Sequence, residues 1–182
     1  MPTGTVISWE AFSTAGAEGE RWEWADGGVE FMSPANMQQE AFLMLLADVL
    51  VRYCQGHPEW IAFGSNTVFT MASGNWRQPD ASLVKRSNFS GGPFPVRAGF
   101  PPDVAFEILS PGDSPSHLQS KRLDYQQSGV IQVWFELEKR VVELIYPDRA
   151  VRHYRQDEVL TVPSLPGFSL PLKELLVEPA GS

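Results

Sequence analysis

The chain has 182 residues, 43% hydrophobic and 20% charged, a composition ordinary for a globular protein, and it reads as a single domain over residues 1–182. Its net charge of −8 excludes a broad basic face for nonspecific nucleic-acid binding, but leaves room for a local basic groove beside an acidic metal site. The single cysteine, Cys54, excludes an internal disulfide and fits a cytoplasmic protein; the start MPTGTVISWE lacks the pattern of a signal peptide, and FLMLLADVLV is too short to span a membrane.

Ser8 reads as the cap of a short helix, WEAFSTA, that stops near Gly16. RWEW and VEFMS, separated by Asp26-Gly27-Gly28, predict a hairpin. Ser33-Pro34 and Asn36, with Gln39 three residues on, announce a capped helix that runs to about Gln55 and stops at Gly56. Its apolar stripe is Phe42, Leu45, Leu46, Val49, Leu50 and Tyr53, with Cys54 read as a buried, inert thiol.

Trp60 to Met71 predicts two short strands around Gly64-Ser65-Asn66, and ASLV predicts a strand after Pro79-Asp80. Residues 87–102, rich in Gly, Pro and Ser, read as a mobile surface loop. PPDVAFEIL is the next strand, and Ser114-Pro115 starts a second helix that ends at Ser128-Gly129. VIQVWFEL and RVVELIY form a hairpin, VRHYR and the segment around Val159 extend the sheet, and LPGFSLPLKELL packs a short helix at the edge. The strand–helix–strand unit from Asp103 to Val130 has the length of a crossover, so its strands are expected parallel and adjacent. The expected fold class is α/β, a mixed sheet flanked by helices.

In PPDVAFEIL, alternation places Val104, Phe106 and Ile108 on one face, and Glu107 with Ala105 and Leu109 on the other. A carboxylate among apolar neighbours calls for a metal, a cation or an open cleft, or else sits on an exposed face or pairs with an arginine. On the following helix Leu118, Lys121 and Tyr125 share a face, which turns Lys121 inward towards Glu107. The plainer alternatives are a lysine that snorkels to water or a structural ion pair. If Asp80 and Glu107 lie on neighbouring strands, they suit one Mg²⁺ or Mn²⁺, which would polarise a phosphodiester while Lys121 orients the attacking water. Asp103 lies about 13 Å from Glu107 along the strand, too far for the same ion.

Arg77, Lys85, Arg86, Arg97 and Arg122 are candidates for phosphate contacts, against the plainer reading of solvated charges. The tryptophans read as core or interface residues. His57, His117 and His153 lack zinc-ligand spacing.

The runs VEFMSP, RQPDASLV, PPDVAFEILSPGDS and LPGFSLPLKEL, with Lys121, Tyr125 and the GV…VW strand between the last two, resemble the Uma-two family. That family belongs to the PD-(D/E)XK, restriction-endonuclease-like superfamily. The resemblance covers about Arg21 to Leu176, and each piece is weak alone. It implies a restriction-endonuclease-like core and Mg²⁺-dependent hydrolysis of nucleic acid, DNA above all. Under it, Asp80 and Glu107 are catalytic acids and metal ligands. Lys121 matches a catalytic lysine that has migrated to the helix, because Leu109 stands at the lysine's basic position. Glu40 is a possible extra ligand, against the reading of a solvated helix face. Gln38 stands where relatives often carry a histidine, and Leu137-Glu138 where they often carry Asp-Pro. Pairing in the superfamily implies a homodimer, with the hairpin at Trp22 and Trp24 as interface. The rival reading is a non-catalytic nucleic-acid- or protein-binding module with a degenerate site.

Overall fold

The computed structural model describes residues 22–32, 35–89 and 94–176, so the expected helix after Ser8 lies outside the described residues. Strands β1 (Trp22–Ala25) and β2 (Gly28–Phe31) form the expected hairpin, its turn carried by positive φ at Asp26 and Gly27. Gly27 adopts φ +84°, a region where a side chain would be strained. Helix α1 (Met37–Gly56) opens on a full capping box: the Asn36 side chain accepts from the Gln39 N–H, and the Gln39 side chain accepts from the Asn36 N–H.

Next come β3 (Trp60–Gly64), β4 (Phe69–Thr70), β5 (Trp76–Arg77) and β6 (Ala81–Lys85). Strand β7 (Val104–Ile108) crosses over through α2 (Pro115–Gln127) to β8 (Ile131–Glu136). The chain then runs through β9 (Val141–Ile145), β10 (Val151–Arg155), β11 (Val159–Leu160), β12 (Leu170–Pro171) and α3 (Leu172–Leu175).

Six strands form the main sheet in the order β10-β9-β8-β7-β6-β3. Within it β7 and β8 pair in parallel, as the crossover length required, and the other neighbours are antiparallel. Gly129, at φ +73°, turns the chain from α2 back into β8. The first face of β7 (Val104, Phe106, Ile108) packs with Phe42, Leu46, Leu50 and Tyr53 of α1 and with Leu172 and Leu175 of α3. The second face carries Ala105 and packs with Val84, Trp134, Ile145 and Tyr125 of α2. The sheet is therefore covered on both faces, and all of β7 is buried.

A smaller sheet, β2-β1-β5-β4, joins the hairpin to the middle of the chain through the pair Trp24–Trp76. Its strand β5 is two residues long, too short to show an alternating pattern. Val159 does not extend the main sheet: β11 pairs with β12 in a separate two-stranded sheet. Leu45 is 44% exposed, so the apolar stripe of α1 is narrower than its spacing suggests. The described part of residues 87–102 is tied to the body rather than loose. Phe89 and Phe94 pack edge-on, Phe89 meets Phe63 and Phe100, and Ala98 bonds through its backbone to Val68 and Thr70. Rings spaced among glycines and prolines give no periodic signal, which hid this packing.

Candidate active site

The register of β6 on β7 pairs Ala81 with Phe106, so the next step along the ladder sets Asp80 opposite Glu107. Both residues line one cavity. The Asp80 carboxylate is fixed by the Ile108 N–H, which donates to Oδ2 at 2.8 Å. Glu107 is 4% exposed. The Tyr125 hydroxyl donates to its Oε1 at 2.5 Å, and Lys121 Nζ lies 2.9 Å from each carboxylate oxygen. Lys121 is itself 2% exposed, so it points inward as its helical spacing indicated rather than snorkelling to water. Tyr125, one helical turn beyond Lys121, served in the sequence only to orient that face; its shared spacing is the signal that could have found Glu107's second partner.

Three further acids, Glu23, Glu30 and Asp124, belong to this cluster, and the sequence did not single them out. Glu23, fully buried on β1, places Oε1 3.0 Å from Lys121 Nζ and accepts the Gln78 N–H on the same oxygen at 2.8 Å. Its Oε2 takes Arg77 Nη1 at 2.9 Å. Arg77, wholly buried, also bonds Glu30 at 3.0 Å, Asp124 at 2.7 Å and the Ser120 hydroxyl at 2.7 Å. His117 Nδ1 pairs with Glu30 Oε2 at 2.7 Å. Among the described residues Glu23, Glu30 and His117 are close enough to share an ion. Arg77 Nη1 already sits on the Glu23 and Glu30 oxygens, so a guanidinium fills the cation's role there and the trio does not fit a metal.

The electrostatics follow from burial and an excess of acids. Burial pushes the Glu107 carboxyl up to about 7; Lys121 opposes that shift, and Asp80 and then Glu23 add to it. Burial works against the Lys121 ammonium, but Glu107, Glu23 and Asp80 outweigh it and keep the lysine protonated. Burial likewise opposes ionisation of Glu23, yet Lys121 and Arg77 hold its carboxyl below the usual range.

A cavity of about 50 Å³ opens beside these groups, lined by Asp80, Glu107 and Lys121 with Gln39, Glu40 and His117 on its walls. Two carboxylates lining one small cavity are the hard oxygen donors that Mg²⁺ or Mn²⁺ takes, so these residues fit such an ion. Glu40 is exposed and reaches this wall from the first turn of α1. Gln38 lines other grooves, whereas its neighbour Gln39 lines the cavity and bonds Leu109 O at 3.1 Å. Asp103 lies away from the cavity and receives the Lys85 N–H and the Asn88 side chain.

The arginines and lysine do not assemble as a phosphate groove. Arg77 is buried, Arg122 bonds Glu143 at 2.6 Å and lies over Trp134, Arg97 lies over Trp76, Lys85 lies over Trp60, and Arg86 bonds Pro58 O. Each finds a partner within the protein.

A family model, Uma2, described as "Putative restriction endonuclease", matches residues 9–173. A solved structure from Anabaena variabilis, described as "a putative nuclease belonging to DUF820", is similar at TM-score 0.82 and 19% identity, over 93% of this chain and 97% of that one. No curated protein matches. The expected α/β class, a mixed sheet flanked by helices, is thus the fold observed.

Proposed function

We propose that this chain, which belongs to the Uma2 family and has a nuclease-like fold, is one restriction-endonuclease-like domain that hydrolyses phosphodiester bonds of nucleic acid with a divalent metal ion. The observation that carries this reading is the cross-strand placement of Asp80 opposite Glu107 at the cavity that also receives Lys121.

Asp80 and Glu107 would hold the ion, with Glu40 an outer candidate from the cavity wall. The ion would supply a polarised phosphoryl group and a more acidic water. Asp80 is preset by the Ile108 N–H, and Glu107 by the Tyr125 hydroxyl. Lys121 stays an ammonium at neutral pH, so its part is to orient water and offset charge on the phosphate rather than to act as base. The buried Glu107–Lys121 ion pair also fits a purely structural role, and that favours the second reading, a non-catalytic binding module.

Cleavage of supercoiled and single-stranded DNA with Mg²⁺ or Mn²⁺ separates the two. The nuclease reading expects metal-dependent cutting that falls about a hundredfold or more in Glu107→Gln and in Lys121→Ala. Wild-type protein that neither cuts DNA nor binds Mn²⁺ would leave the binding module standing.

A further inference from the structure

Lys121 has two carboxylates where one ion pair would suffice. Its Nζ is 2.9 Å from Glu107 and 3.0 Å from Glu23 Oε1. Glu107 has a demanding surrounding: Tyr125 and Lys121 both occupy it, and under the reading above it must also serve a metal ion. An ion arriving at Glu107 competes with the ammonium for the same oxygens.

If Glu107 were the lysine's sole partner, that competition would leave an ammonium buried without a counter-charge, a costly state. Glu23 removes the difficulty. It is fully buried, so no water screens it, and it is held at both oxygens by groups other than Lys121. The Gln78 N–H fixes Oε1 at 2.8 Å and Arg77 Nη1 fixes Oε2 at 2.9 Å. Gln78 leads through Pro79 into Asp80, so the backbone that fixes Glu23 also delivers the other candidate ligand. The seat for the lysine is therefore rigid and set in register with the acids.

We propose that Glu23 is a positioning residue: it retains the Lys121 ammonium when Glu107 turns to a divalent ion, and so makes Glu107 available without stranding the lysine. This rests on the nuclease reading of the same site. It separates Glu23 from two plainer roles, a structural partner of Arg77 alone and a direct metal ligand.

The test is Mn²⁺ affinity by titration calorimetry in wild type, Glu23→Gln, Lys121→Ala and the double variant, with thermal midpoints recorded for each. We expect Glu23→Gln to weaken Mn²⁺ binding by about tenfold or more, the scale of loss seen when a metal ligand's supporting partner is removed. Lys121→Ala should bind at least as tightly as wild type. With the lysine gone, Glu23→Gln should change the affinity by less than about twofold, because the two residues act through one interaction.

Equal weakening in both backgrounds would overturn the proposal in favour of a direct ligand. No weakening by Glu23→Gln while Lys121 is present would overturn it in favour of a purely structural pair. If Glu23→Gln does not fold, Glu23→Asp keeps the charge but withdraws the carboxylate, and the same dependence on Lys121 is required of it. Wild type that does not bind Mn²⁺ overturns this proposal and the nuclease reading together; binding without the coupling overturns the proposal alone.

Discussion

Arg77 stands where three carboxylates would otherwise face one another inside the protein. Its guanidinium reaches Glu23, Glu30 and Asp124 at 2.7–3.0 Å with no exposure of its own. Replacing it by Met removes the cation and leaves Glu23 and Asp124 buried without it, a change that costs about 3–5 kcal/mol in comparable cases. Urea denaturation of Arg77→Met should show a loss of that size, whereas Arg52→Ala, at an exposed pair with Asp48, should leave the midpoint unmoved. Residue identity alone separates these two arginines poorly. Glu107 and Lys121 were legible because each breaks an apolar pattern on a well-marked element. Glu23 was not, since an acid between two tryptophans in a hairpin reads equally well as a solvent-facing residue. Its burial depends on β5 closing over it, through a pairing of Trp24 with Trp76 that no local pattern announces.

At the scale of elements, helix boundaries were the most legible feature, because caps are written in a few consecutive residues. Asn36 with Gln39, and Ser114 with Pro115, mark the starts of α1 and α2. Of the two-residue strands, β4 was legible as the second strand of Trp60 to Met71, whereas β5, β12 and the small second sheet were not, being made by distant partners instead of periodicity. Glycines at the helix ends differ in a way the sequence hides. Gly129 has φ +73° and Gly56 lies at the end of α1 without positive φ, and an added Cβ would meet nothing within 4 Å at either. Gly129→Ala should therefore destabilise by about 1–2 kcal/mol through backbone strain alone. Gly56→Ala should stabilise by about 0.4–1 kcal/mol by restricting the unfolded chain. Equal effects in thermal denaturation would contradict this assignment of the two turns.

At the scale of the whole molecule, the buried charges set how stability varies with pH. The His117 hydrogen bond, against the opposing effect of burial, holds the Glu30 carboxyl below its ordinary value, and Glu23 is also lowered. These two contribute stability that is fully present above the ordinary carboxylate value of about 4.5 and is lost as pH falls further, because the unfolded chain takes up the protons first. Glu107 acts in the opposite sense. Raised to about 7, it contributes stability below 4.5 that is lost as pH rises through 7. Metal-free protein should thus have its highest thermal midpoint near pH 4.5, falling at lower pH and falling again from about pH 4.5 to 7; a midpoint still climbing from pH 5 to 7 would count against the raised Glu107. The same cluster draws on Glu23, Arg77, Glu107 and Lys121, which are spread across a hundred residues of chain. During synthesis Glu23 emerges well before the lysine that pairs with it, and no intermediate truncated before Lys121 carries the finished arrangement. A chain still on the ribosome therefore lacks this cluster, which is assembled only once the fold around it is complete.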